Sequence, residues 1–175
     1  MNKTIEAMYF AEHRHMYQAR RYTYDPYMKH LAEVAGIVAS VTSDAEVLQA
    51  CWLHDTIEDT DTTYEELQVS FGTRVADMVK SLTDVEEGNR ATRKARAQVR
   101  LVKAPAEVQT IKYADGISNL TSIWTHDRKF AKTYLKEWKH LLQVMNKGDP
   151  FLYAWINRLV NQYDTILEYE EDQGL

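Results

Sequence analysis

The stretch Val47-Leu48-Gln49-Ala50-Cys51-Trp52-Leu53 runs directly into His54-Asp55-Thr56-Ile57-Glu58-Asp59. His54 and Glu58 are four apart, as are Asp55 and Asp59, so on a helix all four side chains crowd toward one face. The spacing predicts a central helix running through His54 and ending near Glu58. Four polar side chains beside an apolar run are costly to bury unless a cation or a substrate offsets their desolvation. Two further residues join the set: His30 upstream and Asp115 downstream. Two His and two Asp, with an adjacent pair at the centre, form an N₂O₂ donor set of the kind a catalytic metal ion takes.

Outward from this centre the chain is punctuated as a helical protein. Residues 3–19 read as a first helix with Ile5, Met8, Tyr9 and Met16 at roughly helical spacing. Pro26 opens a second, Tyr27 to about Ser40, with Leu31, Val34, Ala35 and Val38 inward. Ser43 followed by Glu46 predicts the capping box of the central helix, and Thr62 followed by Glu65 a second box for a short helix stopping near Gly72. Val75, Met78, Val79 and Leu82 mark the next. A polar loop over 83–92 leads to a basic helix near Arg93–Val102. Pro105 opens a long helix to about Trp124, another spans Arg128–Met145, and Asp149-Pro150 is an N-cap with Pro at N1. The tail Glu168–Leu175 is acidic and is expected to fray.

Bulk composition agrees. A chain of 175 residues is one domain with a full core, and only 6 Gly and 3 Pro favour helices over a sandwich or barrel. The net charge of −5 argues against nucleic-acid backbone and anionic membrane as partners. The one cysteine, Cys51, sits in an apolar segment and reads as a buried, inert thiol. The first residues lack the apolar core of a signal peptide, and no segment reaches transmembrane length, so a cytoplasmic location is expected.

Placed on these helices, the polar residues resemble the HD-domain phosphohydrolases, most nearly the RelA/SpoT-type hydrolase domain and the small alarmone hydrolases. The likeness spans about residues 9–125. It rests on His15, Gln18 and Arg20, on Pro26-Tyr27-Met28-Lys29-His30, and on Leu53-His54-Asp55-Thr56-Ile57-Glu58-Asp59-Thr60. Phe71-Gly72-x-x-Val75, Ser81-Leu82-Thr83, Ile111-Lys112-Tyr113-Ala114-Asp115 and Asn119-Leu120 then follow in order. The resemblance implies an all-α, single HD-domain helical bundle over 1–175, its C-terminal helices at about 127–170. It also implies that His30, His54, Asp55 and Asp115 bind one divalent ion. Two imidazoles and two carboxylates suit Mn²⁺, Fe²⁺, Co²⁺ or Zn²⁺ over Mg²⁺ or Ca²⁺, and manganese is usual in the family.

The same resemblance implies catalytic roles for Glu58 and Asp59, which would orient or deprotonate the attacking water. Arg20 and Lys112 would neutralise phosphate charge, and Asn119 would hold a ligand or a ribose hydroxyl. The loop Arg21-Tyr22-Thr23-Tyr24-Asp25 departs from the family in being short and rich in Tyr, and Tyr22 and Tyr24 are expected to stack on a base. The implied activity is hydrolysis of a small nucleotide, first a guanosine 3′-pyrophosphate alarmone losing pyrophosphate. The alternative is a deoxynucleoside triphosphate losing triphosphate, and a third reading is a nucleotide sensor without turnover. At 175 residues the chain is expected to hydrolyse only, without the synthetase domain of the long alarmone enzymes. Gly116 stands where alarmone hydrolases usually carry a basic residue, which takes a charge from the expected substrate side. His13, His126 and His140 are expected to have no role. Arg90, Arg93, Lys94, Arg96 and Arg100 read as a solvated basic face, Trp124, Trp138 and Trp155 as core. Trp138, Phe151, Tyr153 and Trp155 would equally suit the interface of a homo-oligomer.

Overall fold

Helices follow one another along the chain in the computed structural model, which describes residues 2–84 and 88–173. They are α1 (Lys3–Arg14), α2 (Met28–Ala39), α3 (Ala45–Leu53), α4 (Thr56–Asp59) and α5 (Tyr64–Phe71). Then come α6 (Thr73–Leu82), α7 (Arg90–Lys103), α8 (Ala106–His126), α9 (Arg128–Val144) and α10 (Pro150–Asp172). No strand occurs among the described residues, and an isolated antiparallel bridge joins Ala19 to Pro26. The all-α expectation holds. Residues 85–87 of the expected polar loop and the last two residues of the acidic tail lie outside the described residues, as does Met1.

Two helices form the centre. In α3, Val47, Ala50, Cys51 and Leu53 are buried, and α8 is buried along most of its length from Val108 to Ile123. A helix covered on several sides needs apolar or small residues on several faces, which suits its Gly116 and Ala114. Leu31, Val34, Ala35 and Val38 of α2 are buried as the pattern predicts, and α2 packs against both α3 and α8. Along the other side, α9 and α10 pack on α8, and α1 docks on α3. Full burial of Leu31, Leu53 and Leu120 contributes about 1.5–3 kcal/mol each.

Several local expectations need correction. The first helix ends at Arg14, five residues early, because the chain turns there: His15 N–H caps Ala11 O, and Gln18 N–H donates to His15 O. The following loop is closed by Arg20 N–H to Asp25 O and Tyr27 N–H to Gln18 O, with Tyr24 in the left-handed region at φ 58°. The inward face of α1 is Ala7 and Ala11, whereas Ile5 and Tyr9 on it, and Met16 just beyond it, are exposed. The caps lie one residue later than predicted. Asp44 Oδ1 accepts from Glu46 and Val47 N–H, and Thr63 Oγ1 from Glu66 N–H. Thr62 is instead buried, sharing a hydroxyl bond with Thr60.

Most consequential, the central helix stops at Leu53. Side chains take its last carbonyls: His54 Nδ1 bonds Cys51 O at 2.8 Å and Thr56 Oγ1 bonds Leu53 O at 2.6 Å. A new turn, α4, then starts with Asp59 N–H on Asp55 O. His54 and Asp55 occupy the corner between them. Of the tryptophans, Trp138 is buried, Trp124 is half-buried and stacks on Tyr163 at 4.1 Å, and Trp155 is exposed. Phe151 is exposed too, while half-buried Tyr153 donates to Leu142 O.

Candidate metal centre and its cavity

The corner after α3, the first turn of α2 and the middle of α8 meet, and each brings a donor. His30 on α2 is fully buried, and its Nε2 lies 3.4 Å from both Asp55 Oδ2 and Asp115 Oδ1. His54 Nε2 lies 3.1 Å from Asp55 Oδ2 and 4.0 Å from Asp115 Oδ1. Ligating atoms of His30, His54 and Asp115 all fall within 4.8 Å of one another, and Asp55 borders them.

The protons on these imidazoles can be assigned from their outer partners. Cys51 O only accepts, so His54 carries its hydrogen on Nδ1 and turns a bare Nε2 inward. His30 Nδ1 faces Ser118 Oγ at 2.9 Å, and Ser118 gives its own hydrogen to Glu33 Oε2 at 2.7 Å. Nδ1 of His30 is therefore the donor, and its Nε2 is also bare. Both Nε2 atoms are buried without a hydrogen-bond partner among the described residues. Buried, unpartnered nitrogens aimed at two carboxylates are costly in a neutral cluster and fit a divalent cation. Without one, protons are drawn in. Burial opposes charge on both imidazoles, but Asp55 and Asp115 outweigh it, raising His30 and pushing His54 up to about 9. Burial likewise opposes ionisation of Asp55 and Asp115, yet the imidazoles, and Lys112 beside Asp115, hold both below the carboxylate range.

Around this cluster opens a cavity of about 260 Å³ whose wall includes Glu58, Asp59, Asp84, Lys94, Lys112 and Tyr134. Burial, aided by Asp55 and Asp84, raises the Glu58 carboxyl, although Asp84 N–H donates to its Oε2 at 2.9 Å. Asp59 Oδ2 accepts from Gln18 Nε2 at 2.8 Å. Lys112 Nζ is bonded to Asp115 Oδ2 at 2.8 Å, so its first partner is a donor of the cluster; burial disfavours its charge, but Asp115 and Asp84 keep it protonated. Asn119 Nδ2 donates to Asp115 Oδ1 at 2.6 Å, and Arg20 Nη1 donates to Asn119 Oδ1 at 3.1 Å. Arg20 thus touches the cluster through Asn119.

Two expected site residues stand apart. Tyr22 stacks on His126 at 5.8 Å and donates to Asp127, which gives His126 a neighbour that sequence reasoning did not foresee. Tyr24 is 81% exposed. Neither lines the cavity. Gly116 also faces away from it: a Cβ there would meet the Trp138 indole, so the missing basic side chain is not lost from the cavity wall.

Other residues of the cavity were missed. The basic face of α7 is not merely solvated, since Arg90 and Lys94 line the cavity, held by Glu137 and Asp84. Their clustering in the sequence was the available signal. Tyr27 donates to Asp55 Oδ2 at 2.7 Å, and it stood within the quoted Pro-Tyr segment. Phe130 and Tyr134, four apart on α9, also line the wall, and no local pattern marks them. A second cavity of about 350 Å³ between α7 and α9 shares Asp84, Lys94, Lys112 and Tyr134 with the first.

A family model described as "HD domain" matches residues 7–142. A guanosine-3′,5′-bis(diphosphate) 3′-pyrophosphohydrolase of Aquifex aeolicus (strain VF5) is 37% identical over 131 residues, which are 73% of this chain and 19% of that protein. The chain thus spans about a fifth of that relative. The enzyme of the same name designated MESH1 in Danio rerio is 35% identical over 122 residues, 68% of each chain. Among solved structures, one described as a metazoan orthologue of SpoT that hydrolyses ppGpp superposes with a TM-score of 0.86. It shares 25% identity and covers 93% of this chain and 96% of its own.

Proposed function

Because this chain belongs to the HD-domain family, we propose that it is a metal-dependent phosphohydrolase that removes pyrophosphate from the 3′ position of a guanosine alarmone. The family implies a divalent metal, bound on this reading by His30, His54, Asp55 and Asp115. The donors suit Mn²⁺, Fe²⁺, Co²⁺ or Zn²⁺, and Mn²⁺ is taken first because it is usual in the family. The observation that carries the reading is the pair of bare, buried Nε2 atoms aimed at two carboxylates. The shared names of the relatives supply the substrate class.

A bound divalent ion supplies Lewis-acid activation of phosphate and of water. The chain's own groups do the rest. Glu58, with its raised carboxyl, accepts a proton from the attacking water, and Asp59, held by Gln18, orients it. Water adds at the phosphorus next to the sugar as the bond to the 3′ oxygen breaks. The proton that Glu58 took from the water passes to that oxygen, so GDP leaves with a 3′ hydroxyl and the phosphorus carries the new oxygen away in pyrophosphate. Arg90, Lys94 and Lys112 offset phosphate charge from the cavity wall, and Arg20 works through Asn119. Tyr134 and Phe130 give an aromatic wall. With Tyr24 exposed and Tyr22 bonded to Asp127, the base is assigned to other walls of the site.

The unit is one domain, its motif-bearing core buttressed by α9 and α10. No helix among the described residues is long and apolar enough to cross a membrane. We place the protein in the cytoplasm, with exposed Phe151 and Trp155 as the contact if copies assemble.

Product identification tests the reading. The protein and a His54→Ala control are incubated with Mn²⁺ and ppGpp or each of the four deoxynucleoside triphosphates, and products are separated with mass detection. GDP and pyrophosphate from the wild type alone are expected. A deoxynucleoside and triphosphate would move the protein to the triphosphohydrolase class. Tight binding with no turnover would make it a sensor.

A further inference from the structure

The two inward-facing histidines are held by different means. His54 is oriented by a main-chain carbonyl, which no side-chain change removes. His30 depends on side chains alone. Its Nδ1 meets Ser118 Oγ at 2.9 Å, and Ser118 Oγ meets Glu33 Oε2 at 2.7 Å. The arrangement is a square between two packed helices. His30 and Glu33 lie one turn apart on α2, Asp115 and Ser118 one turn apart on α8. Each helix therefore presents one member of the central cluster and, one turn on, one outer support.

We propose that Ser118 and Glu33 are positioning residues that fix the tautomer and ring plane of His30 so that its Nε2 is presented to a metal ion. The inference rests on the reading of His30 as a metal ligand. The direction of the bonds carries it. A carboxylate only accepts, so the single hydroxyl hydrogen of Ser118 is committed to Glu33. The remaining lone pair of Ser118 then accepts from Nδ1–H, which keeps hydrogen off Nε2. Negative charge passed along such a chain also makes the ligating nitrogen a stronger donor. Without the hydroxyl, the buried Nδ1–H has no partner, and the ring is free to rotate or to move its hydrogen to the ligating side.

The support is reached from outside the metal cavity. Glu33 and Ser118 line a separate groove of about 630 Å³ along α2 and α8, which shares no lining residue with the cavity holding His54 and Asp115. Substitutions at Glu33 and Ser118 themselves therefore reach His30 from outside the wall that carries Glu58, Lys94 and Lys112. This separation makes the pair testable.

The test measures metal binding directly. Mn²⁺ affinity is read from the spin-resonance signal of the free ion, and ligand geometry from the visible absorption of the Co²⁺-loaded protein. Wild type, Ser118→Ala, Ser118→Thr and Glu33→Gln are compared, with metal-free melting curves as the folding control. Ser118→Ala is expected to lose about ten- to hundredfold in Mn²⁺ affinity and to change the Co²⁺ spectrum. Ser118→Thr, which keeps the hydroxyl, should restore both. Glu33→Gln should weaken binding by less, at unchanged melting temperature, and it decides the matter if Ser118→Ala does not fold. Wild-type affinity and spectrum in Ser118→Ala, or in Glu33→Gln should that variant alone fold, overturn the proposal while leaving the metal site intact. A wild type that binds neither ion overturns the metal reading and the proposal with it.

Discussion

A Cβ placed on Gly116 would stand 2.0 Å from Cζ2 of Trp138, far inside van der Waals contact. The indole is buried and rigid, so it can yield only by moving as a whole toward the cavity between α7 and α9 that it lines. Alanine outranks glycine in a helix interior by about 1 kcal/mol, which would stabilise the variant. Overpacking costs about 1–3 kcal/mol and should win. Gly116→Ala is therefore expected to lower stability in urea unfolding, and Trp138→Leu in the same chain to recover part of the loss. A Gly116→Ala protein as stable as wild type would refute the packing account.

On the proposed metal reading, proton and metal compete for the same nitrogens, which fixes a pH dependence. His54 is raised to about 9 in the metal-free cluster, above an unfolded value near 6.5. Its contribution to stability is therefore fully present below pH ~6.5 and is lost as pH rises through about 9. Mn²⁺ affinity should move oppositely, strengthening over that interval as protons leave. Calorimetric melting of metal-free protein and metal titrations at several pH values check both. Affinity that is flat across the interval would contradict the assignment.

Glu58 and Asp59 are expected to separate in kinetics. Glu58→Gln should lower kcat about 10²–10⁴-fold with little change in metal affinity. Because the Glu58 carboxyl is raised and must be ionised to accept a proton, wild-type rate should climb with pH through a value above the ordinary 4.5. That acid limb should vanish in the variant. Persistence of the limb in Glu58→Gln assigns it to another group.

Lys94→Ala and Arg90→Ala should raise KM more than they lower kcat, by about tenfold, since each removes charge-assisted phosphate contacts rather than a proton-transfer group. Steady-state kinetics at two salt concentrations would show it. Unchanged KM in both returns the face of α7 to ordinary surface.

Cap assignments give a stability contrast between neighbours. Asp44→Ala should cost about 0.5–2 kcal/mol, through loss of the bonds to Glu46 and Val47 N–H, whereas Ser43→Ala should be near neutral. Equal effects at the two positions would place the cap wrongly.

What could be read from the sequence follows the range of each interaction. Buried faces of α2 and α6 obey helical spacing, so Leu31, Val34, Val75 and Val79 were legible. Candidate ligands were legible because motif order survives in the chain. The break at His54 was not, since Ala45–Leu53 carries no Gly or Pro and the helix stops through side chains that capture its carbonyls. Phe130 and Tyr134 reach the cavity only through the docking of α9 on α8, which no local pattern encodes. Tyr22 looked available for a base because its partner Asp127 lies far along the chain. Gly116 was misread for a like reason, as its neighbour Trp138 belongs to the next helix.

His30, His54 and Asp115 come from three stretches far apart in sequence, and they meet where α2, α8 and the corner after α3 converge. An ion shared among them, as proposed, would be a reversible cross-link. Any fluctuation that parts α2 from α8 would first have to give up coordination, so occupancy would control how often that seam opens. Metal supply would then set the lifetime of the chain against proteases together with its turnover, and a chelator would act on it as a mild denaturant.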